Sequence, residues 1–441
     1  MRGNTFNLFA EVMYVEGNSQ VILATTIFLV AYAIIISEKI HRTVVALFGA
    51  MILIIAGVLH QDEAIHHIDF NTIGLLVGMM IIVGITRRSG VFEYLAVKAA
   101  KQSKGEPLAI MVSLSIVTAV LSALLDNVTT VLLIVPVTFS IARQLEINPM
   151  PILIAEILAS NIGGTATLVG DPPNIMIGSA VGIGFMDFVI NLTPIVAPIM
   201  IVTIYLLKWI YRKQFVVREE LKKNILAMNE NDEIKDPKLL KQSLIVLALT
   251  VLGFLLHQYV HLESATIALA GAALLLLVTR QEPEHALEAV EWPVIFFFAG
   301  LFILVGGLVE VGVIEWIAVQ ALELTGGELL TTGMLILWLS AIASAFVDNI
   351  PFVATMIPLI QDMGRLGGIT DLMPLWWSLS LGACLGGNGT IIGASANVVV
   401  AGMAEKQGIH FTFLGFMKVA FPLMLVSIVM STVYLYFFYL T

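Results

Sequence analysis

The sequence predicts an all-α polytopic membrane protein made of two inverted copies of one unit. Each copy holds five membrane-crossing helices and one re-entrant hairpin, and one crossing helix in each is unwound at its middle, the plan of an elevator-type transporter. Three observations predict this. First, 59% of the 441 residues are hydrophobic and only 12% are charged, which excludes a soluble domain and a disordered chain. Apolar runs of membrane-crossing length recur along the whole chain. Second, two of those runs are interrupted by Gly163-Gly-Thr-Ala-Thr-Leu-Val-Gly-Asp-Pro-Pro-Asn174 and by Gly386-Gly-Asn-Gly-Thr-Ile-Ile-Gly-Ala-Ser-Ala-Asn397. Third, the motifs of the first half return in the second at one constant offset.

The first spans fall at Val21–Ser37, Val44–His60 and Ile73–Thr86. Gly90–Gly105 is too charged to cross and is expected along the interface. Leu108–Phe139 is apolar except at Asp126-Asn-Val-Thr-Thr130, and a polar break at mid-length points to a hairpin that enters and leaves on one side. The first interrupted helix follows, with Pro172 and Pro173 removing backbone donors. A span at Ile190–Tyr211 closes the first repeat, 1–211. The hydrophilic stretch 212–241 is the expected linker, and 242–441 is the second repeat. Its spans fall at Leu244–His261, Thr266–Val278 and Val294–Val309. An amphipathic stretch follows at Val311–Gly327, then a hairpin over Leu330–Ile360 broken at Asp348-Asn-Ile-Pro351. The second interrupted helix is Leu372–Gly402, and the last span is Phe416–Leu440.

The repeat rests on matched segments. Ala46-Leu-Phe-Gly-Ala answers Ala268-Leu-Ala-Gly-Ala, Gly90-Val-Phe-Glu-Tyr answers Gly312-Val-Ile-Glu-Trp, and Asp126-Asn answers Asp348-Asn. The offset is the same for all three and grows by one residue at the interrupted helices. An odd number of crossings per half makes the repeat inverted. With the linker in the cytoplasm, only Arg2 and Arg365 of the 22 Lys and Arg fall outside, as the positive-inside rule requires. Both termini are then non-cytoplasmic, and the expected location is the inner (plasma) membrane. Met1–Gly17 lacks the pattern of a cleavable signal peptide.

Two hairpin tips and two unwound segments converge near the midplane in this topology. The candidate binding residues are Asp126, Asn127, Thr129, Thr130, Asn161, Thr165, Thr167, Asp171, Asn174, Asp348, Asn349, Asn388, Gly389, Thr390, Ser395 and Asn397. Half-helix ends present bare amides and carbonyls to ions and solutes. A charge at the bilayer centre costs about 2.5–3.5 kcal/mol on insertion scales. None of the four breaks contains Lys or Arg, so the aspartates are expected to lack a fixed cation and to carry a proton or Na⁺. Asp126 and Asp348 are the expected coupling pair, although capping of the hairpin helices explains them structurally. Asp171 has no repeat mate, because Ala394 stands in its place. Glu156 is expected at the interface. All eight histidines fall in or near loops and Cys384 is the single cysteine, so neither a resident metal site nor a disulfide is expected. Cys384 itself is expected to be a small core thiol. Gly84 and Gly306, repeat mates, are expected at close helix contacts. No nucleotide motif, cofactor site or nucleic-acid surface is found.

These residues resemble the ion transporter superfamily. The likeness runs through Leu125-Asp-Asn-Val-Thr-Thr, Asn161–Asn174, Asp348-Asn-Ile-Pro-Phe and Gly382–Asn397, and it is strongest to the branch of arsenical-pump permeases and the melanosomal P protein. The resemblance implies a homodimer with a scaffold and a mobile unit, and arsenite or antimonite as solute. A soluble ATPase partner accompanies some arsenite permeases. Superfamily members that carry dicarboxylates with Na⁺ have Ser-Asn-Thr at each tip, where this chain has Asp-Asn-Val and Asp-Asn-Ile. That departure disfavours a polyanion and favours proton coupling. Three functions follow: export of a small solute in exchange for protons, Na⁺/H⁺ exchange, or anion transport through a carrier or channel.

Overall fold

A computed structural model describes residues 18–37, 39–215 and 217–440. The segment 1–17, with Arg2 and the stretch assessed for a signal peptide, lies outside the described residues. The first half runs α1 (Asn18–Ser37), α2 (Arg42–Ile55), a short α3 (Gln61–His66), α4 (Phe70–Arg87), amphipathic α5 (Val91–Gln102), α6 (Pro107–Leu124), α7 (Asn127–Gln144), α8 (Met150–Thr165), α9 (Pro172–Val181) and α10 (Phe185–Tyr211). Helix α11 (Glu219–Ala227) lies in the linker. The second half runs α12 (Pro237–Val260), α13 (Ser264–Thr279), a short α14 (Pro283–Leu287), α15 (Trp292–Glu310), α16 (Val313–Thr325), α17 (Leu329–Phe346), α18 (Asn349–Gly367), α19 (Met373–Gly386), α20 (Ser395–Lys406) and α21 (Phe413–Phe438). Among the described residues there is no strand, and nine helices are long and apolar enough to cross a membrane.

Local chemistry sets the boundaries. Asp236 accepts from the amides of Lys238 and Leu239, and Pro237 takes the first helical position, where its missing donor costs nothing. Helix α12 therefore begins inside the expected linker, whose last residues, 237–241, are already wound. Asp69 caps α4 in the same way, accepting from Asn71 and Thr72. Helix α2 is shorter than the expected span, because Gly57 at φ +73° turns the chain soon after Ile55.

Both hairpins return to the side they left. Lys222 of α11 pairs with Glu106 at the start of α6 at 2.5 Å, and Ile225 of α11 shares a core with Ile141 and Leu145 at the end of α7. In the second half Arg365, near the end of α18, meets Glu315 of α16 at 3.0 Å. Thr332 at the start of α17 bonds Thr325 of α16. Lys101 of α5 also holds Glu230 in the linker, and that hydrogen bond keeps the Glu230 carboxyl below its usual range.

The halves pack by exchange. Helix α2 lies on α15 while its mate α13 lies on α4, the mate of α15. Likewise α7 lies on α20 and α18 on α9. This is the pattern that the expected pseudo-twofold relation would give, and the small residues follow it. A Cβ on Gly78 would come within 2.6 Å of the Ala268 backbone, and one on its mate Gly300 within 2.7 Å of the Ala46 backbone. Gly84 closes on Ala289 and Gly306 on His67, the tight contacts expected of these two. These contacts group the helices into two bodies that share one apolar core: the first three crossing helices of each half, and the hairpins with the unwound helices.

Each hairpin is pressed onto an unwound helix by glycine. A Cβ at Gly163 would meet the Ala119 carbonyl at 2.2 Å, and one at Gly386 the Ala341 carbonyl at 2.6 Å. Overpacking against rigid backbone costs about 1–3 kcal/mol. Gly163→Ala and Gly386→Ala are therefore expected to lower the melting temperature in detergent. Gly402→Ala, where the added methyl meets nothing within 4 Å, is expected to leave it unchanged.

Candidate functional site

Unwinding at depth frees carbonyls, and two asparagines collect them. Asn174 donates to the carbonyls of Thr165 (3.1 Å) and Thr167 (2.9 Å). Its mate Asn397 donates to those of Gly387 (2.7 Å) and Thr390 (2.8 Å). The hydroxyls of Thr167 and Thr390 reach back to the hairpin carbonyls of Ala123 (2.6 Å) and Ala345 (2.5 Å), while Thr165 bonds the Asn161 carbonyl at 2.7 Å. Asn161 joins the halves: its amide donates to Asn388 (3.0 Å) and Asn397 (2.9 Å) and its oxygen accepts from Asn127 (3.1 Å). Cys384, expected to be a plain core thiol, is the repeat mate of Asn161. It makes the equivalent contact, Sγ to Asn174 Oδ1 at 3.5 Å, beside Ser380 at 2.6 Å.

Much of the predicted site is therefore a brace. Thr165, Thr167, Asn174, Asn388, Thr390 and Asn397 tie the two unwound segments to each other and to the hairpins. At Gly389 an added Cβ would meet the Ala345 side chain at 2.6 Å, so this glycine serves packing. Thr129 bonds the Asp126 carboxylate through its amide (2.8 Å) and its hydroxyl. Thr130 is fully buried, and its hydroxyl has no partner among the described residues.

The remaining residues meet at one cavity. Asp126, Asn127, Asp171, Asn349 and Ser395 line it from the hairpin body, with Arg42 and Glu291 facing them from the first body. Asp126 and Asp348 each cap a hairpin helix, accepting from Thr129 and Ile350 respectively. The second oxygen of Asp348 accepts from Arg42 Nη1 at 2.7 Å and from Ser395 Oγ at 2.8 Å. Arg42 also donates to Ser395 (2.7 Å) and lies 4.8 Å over the Phe297 ring. This corrects the expectation that the aspartates lack a fixed cation. The four breaks hold none, but packing of α2 on α15 brings one in from the first turn of α2. The cavity remains acidic: Asp126, Asp171 and Glu291 line it with a single arginine, which is itself paired with Asp348. Asp171 is fully buried; Oδ1 accepts from Asn349 at 3.3 Å, the Cys384 thiol lies beside the carboxyl, and Oδ2 has no hydrogen bond of ordinary geometry among the described residues.

Glu156 is the second correction. It is 0% exposed, not interfacial, and accepts from Thr138 of α7 at 2.5 Å. Every residue of α8 after Met150 is buried, because the hairpin and the second half wrap it from its first turn. Sequence reasoning missed Arg42, Glu291, Tyr32 and Ser380. The one available signal was Arg42 itself, a charge whose repeat mate is Ser264.

An unwound, doubly braced helix pair around a buried polar cavity defines a membrane transporter. The chain belongs to the citrate transporter family, whose model matches residues 32–382, within the ion transporter superfamily. It is 44% identical over 423 residues to an uncharacterized transporter of Mycobacterium bovis, covering 95% of this chain and 98% of that one. It is 35% identical over 507 residues to the human P protein, covering 96% of this chain and 60% of the relative. The solved YdaH transporter of Alcanivorax borkumensis shares the fold, with a TM-score of 0.57 at 15% identity over 94% of this chain and 97% of that one.

Asn161→Ala would strand the oxygens of Asn388 and Asn397 in the interior. Each unsatisfied group costs about 1–3 kcal/mol. The variant is expected to lose most of its thermal stability in detergent, measured against Thr129→Ala as a milder substitution.

Proposed function

We propose that the chain is a secondary active transporter that exports a small uncharged solute in exchange for protons. The observation that carries this reading is Asp171, fully buried with one carboxylate oxygen lacking a hydrogen bond of ordinary geometry among the described residues. A bare buried charge is costly, and a bound proton offsets that cost. Asp348 is occupied by Arg42, so the proton role shifts from the Asp126 and Asp348 pair to Asp171, with Asp126 beside it. With Arg42 paired to Asp348, Asp126 and Glu291 leave the cavity without a free cation, which disfavours a polyanion. Arsenite or antimonite, a neutral trihydroxy acid at neutral pH, offers donors to those carboxylates and suits Asn127, Asn349 and Ser395.

Anion transport is the second reading, favoured by Arg42 and by the family's description as citrate transporters. Na⁺ is the alternative coupling ion. Purified protein in vesicles loaded with a pH-sensitive dye separates these. Arsenite-evoked proton flux supports the first reading, citrate-evoked flux the second, and Na⁺-evoked flux without solute supports Na⁺/H⁺ exchange. Asp171→Asn is expected to lower coupled proton flux at least tenfold while the protein elutes and melts as the parent does. Undiminished flux in that variant rejects the assignment.

A further inference from the structure

Besides a shared apolar core, the polar contacts between the two bodies among the described residues fall into two sets, one at each end. Near the linker end, Tyr32 of α1 donates to the Pro351 carbonyl of the second hairpin, and Arg42 holds Asp348 and Ser395. At the other end, Ser179 of α9 donates to Asp69 at 2.8 Å and accepts from Asn71 at 3.1 Å. Both sets join the first body to the hairpin body.

An inverted repeat carries a forecast of its own alternate state, because the halves exchange roles when the mobile body crosses. Each contact then passes to its repeat mates. Tyr32 on Pro351 becomes Phe254 near Thr129, and Arg42 on Asp348 and Ser395 becomes Ser264 near Asp126 and Pro172. Asp69 and Asn71 on Ser179 become Glu291 and Pro293 near Gly402. The phenol, the guanidinium, the amide and the serine hydroxyl give way to a phenyl, a hydroxyl, a proline and a glycine. Of these only the Ser264 hydroxyl can donate again, to Asp126; no lysine or arginine meets Asp126, and the cations within reach are the titratable His257 and His261.

We infer that Arg42, Tyr32, Asp69 and Asn71 are positioning residues that clamp the mobile body in the end state seen here, and that the opposite end state is left without an equivalent clamp. The cavity beside Ser264, lined also by Asn71, Ser179, His257 and Glu263, is the station the first hairpin then reaches. When Asp348 departs, Glu291, which lines the same cavity as Arg42, remains as the carboxylate nearest to it. The inference rests on the transporter reading but not on any solute or coupling ion.

Paired cysteines in vesicles, with no solute present, test it. Asn71→Cys with Ser179→Cys reports the present state, and Phe254→Cys with Thr129→Cys the opposite one. The first pair is expected to cross-link readily, the second slowly. Adding Arg42→Gln is expected to raise the second rate at least fivefold. Failure of the second pair to cross-link in any background, or an unchanged ratio in Arg42→Gln, overturns the inference. Should a cysteine pair fail to fold, spin labels at exposed Val120 and Leu277 are used instead. They are expected to show two distances whose proportions shift with Arg42→Gln, and a single unshifted distance overturns the inference. Solute-evoked proton flux is read separately, so loss of that flux with an intact shift counts against the proposed exchange and not against the clamp.

Discussion

Backbone unwound inside a membrane must find its hydrogen bonds within the protein, and the rest of this structure depends on that constraint. Asn174 and Asn397 meet it with the same two-carbonyl geometry in each half. Their own oxygens must then be satisfied, which draws in Ser380 and Cys384 on one side and Asn161 on the other. Each satisfied group thus ties a further helix, and the hairpins are added by Thr167 and Thr390. Glycine at the facing positions lets hairpin and unwound helix approach closely enough for these bonds to form.

The outcome is a body stiff at its centre and polar at one seam. The brace uses amides and hydroxyls, which bond each other without net charge. The carboxylates are kept at the edge, where Asp126 and Asp348 cap helices and face the other body. Arg42 enters there from outside the unwound region, its guanidinium supported by the Phe297 ring. Charge therefore gathers at one surface, while the interior that must remain wound or unwound carries no acid apart from Asp171 and Glu156.

The plan of the molecule was visible in the chain because its causes are local. A dense run of glycines, prolines and small polar residues disfavours continuous helix locally, and an Asp-Asn at the centre of an apolar run caps a new helix after a turn. The division of labour among the polar residues was not visible. An asparagine that braces and one that meets a solute are the same residue in the same kind of segment, and only Asn161's simultaneous reach to Asn127, Asn388 and Asn397 tells them apart. Arg42 was hidden for another reason: at the first turn of a span it looks like an ordinary flanking cation, and its partner lies more than three hundred residues away. Glu156 was misplaced because its depth is set by the helices that wrap α8, not by its distance from a span end.

The close glycine approach has a pharmacological consequence. Where hairpin and unwound helix meet backbone to backbone, no room is left for a ligand between them. A small inhibitor would find its opening instead at the seam beside Arg42, where the lining is polar and a cavity already exists.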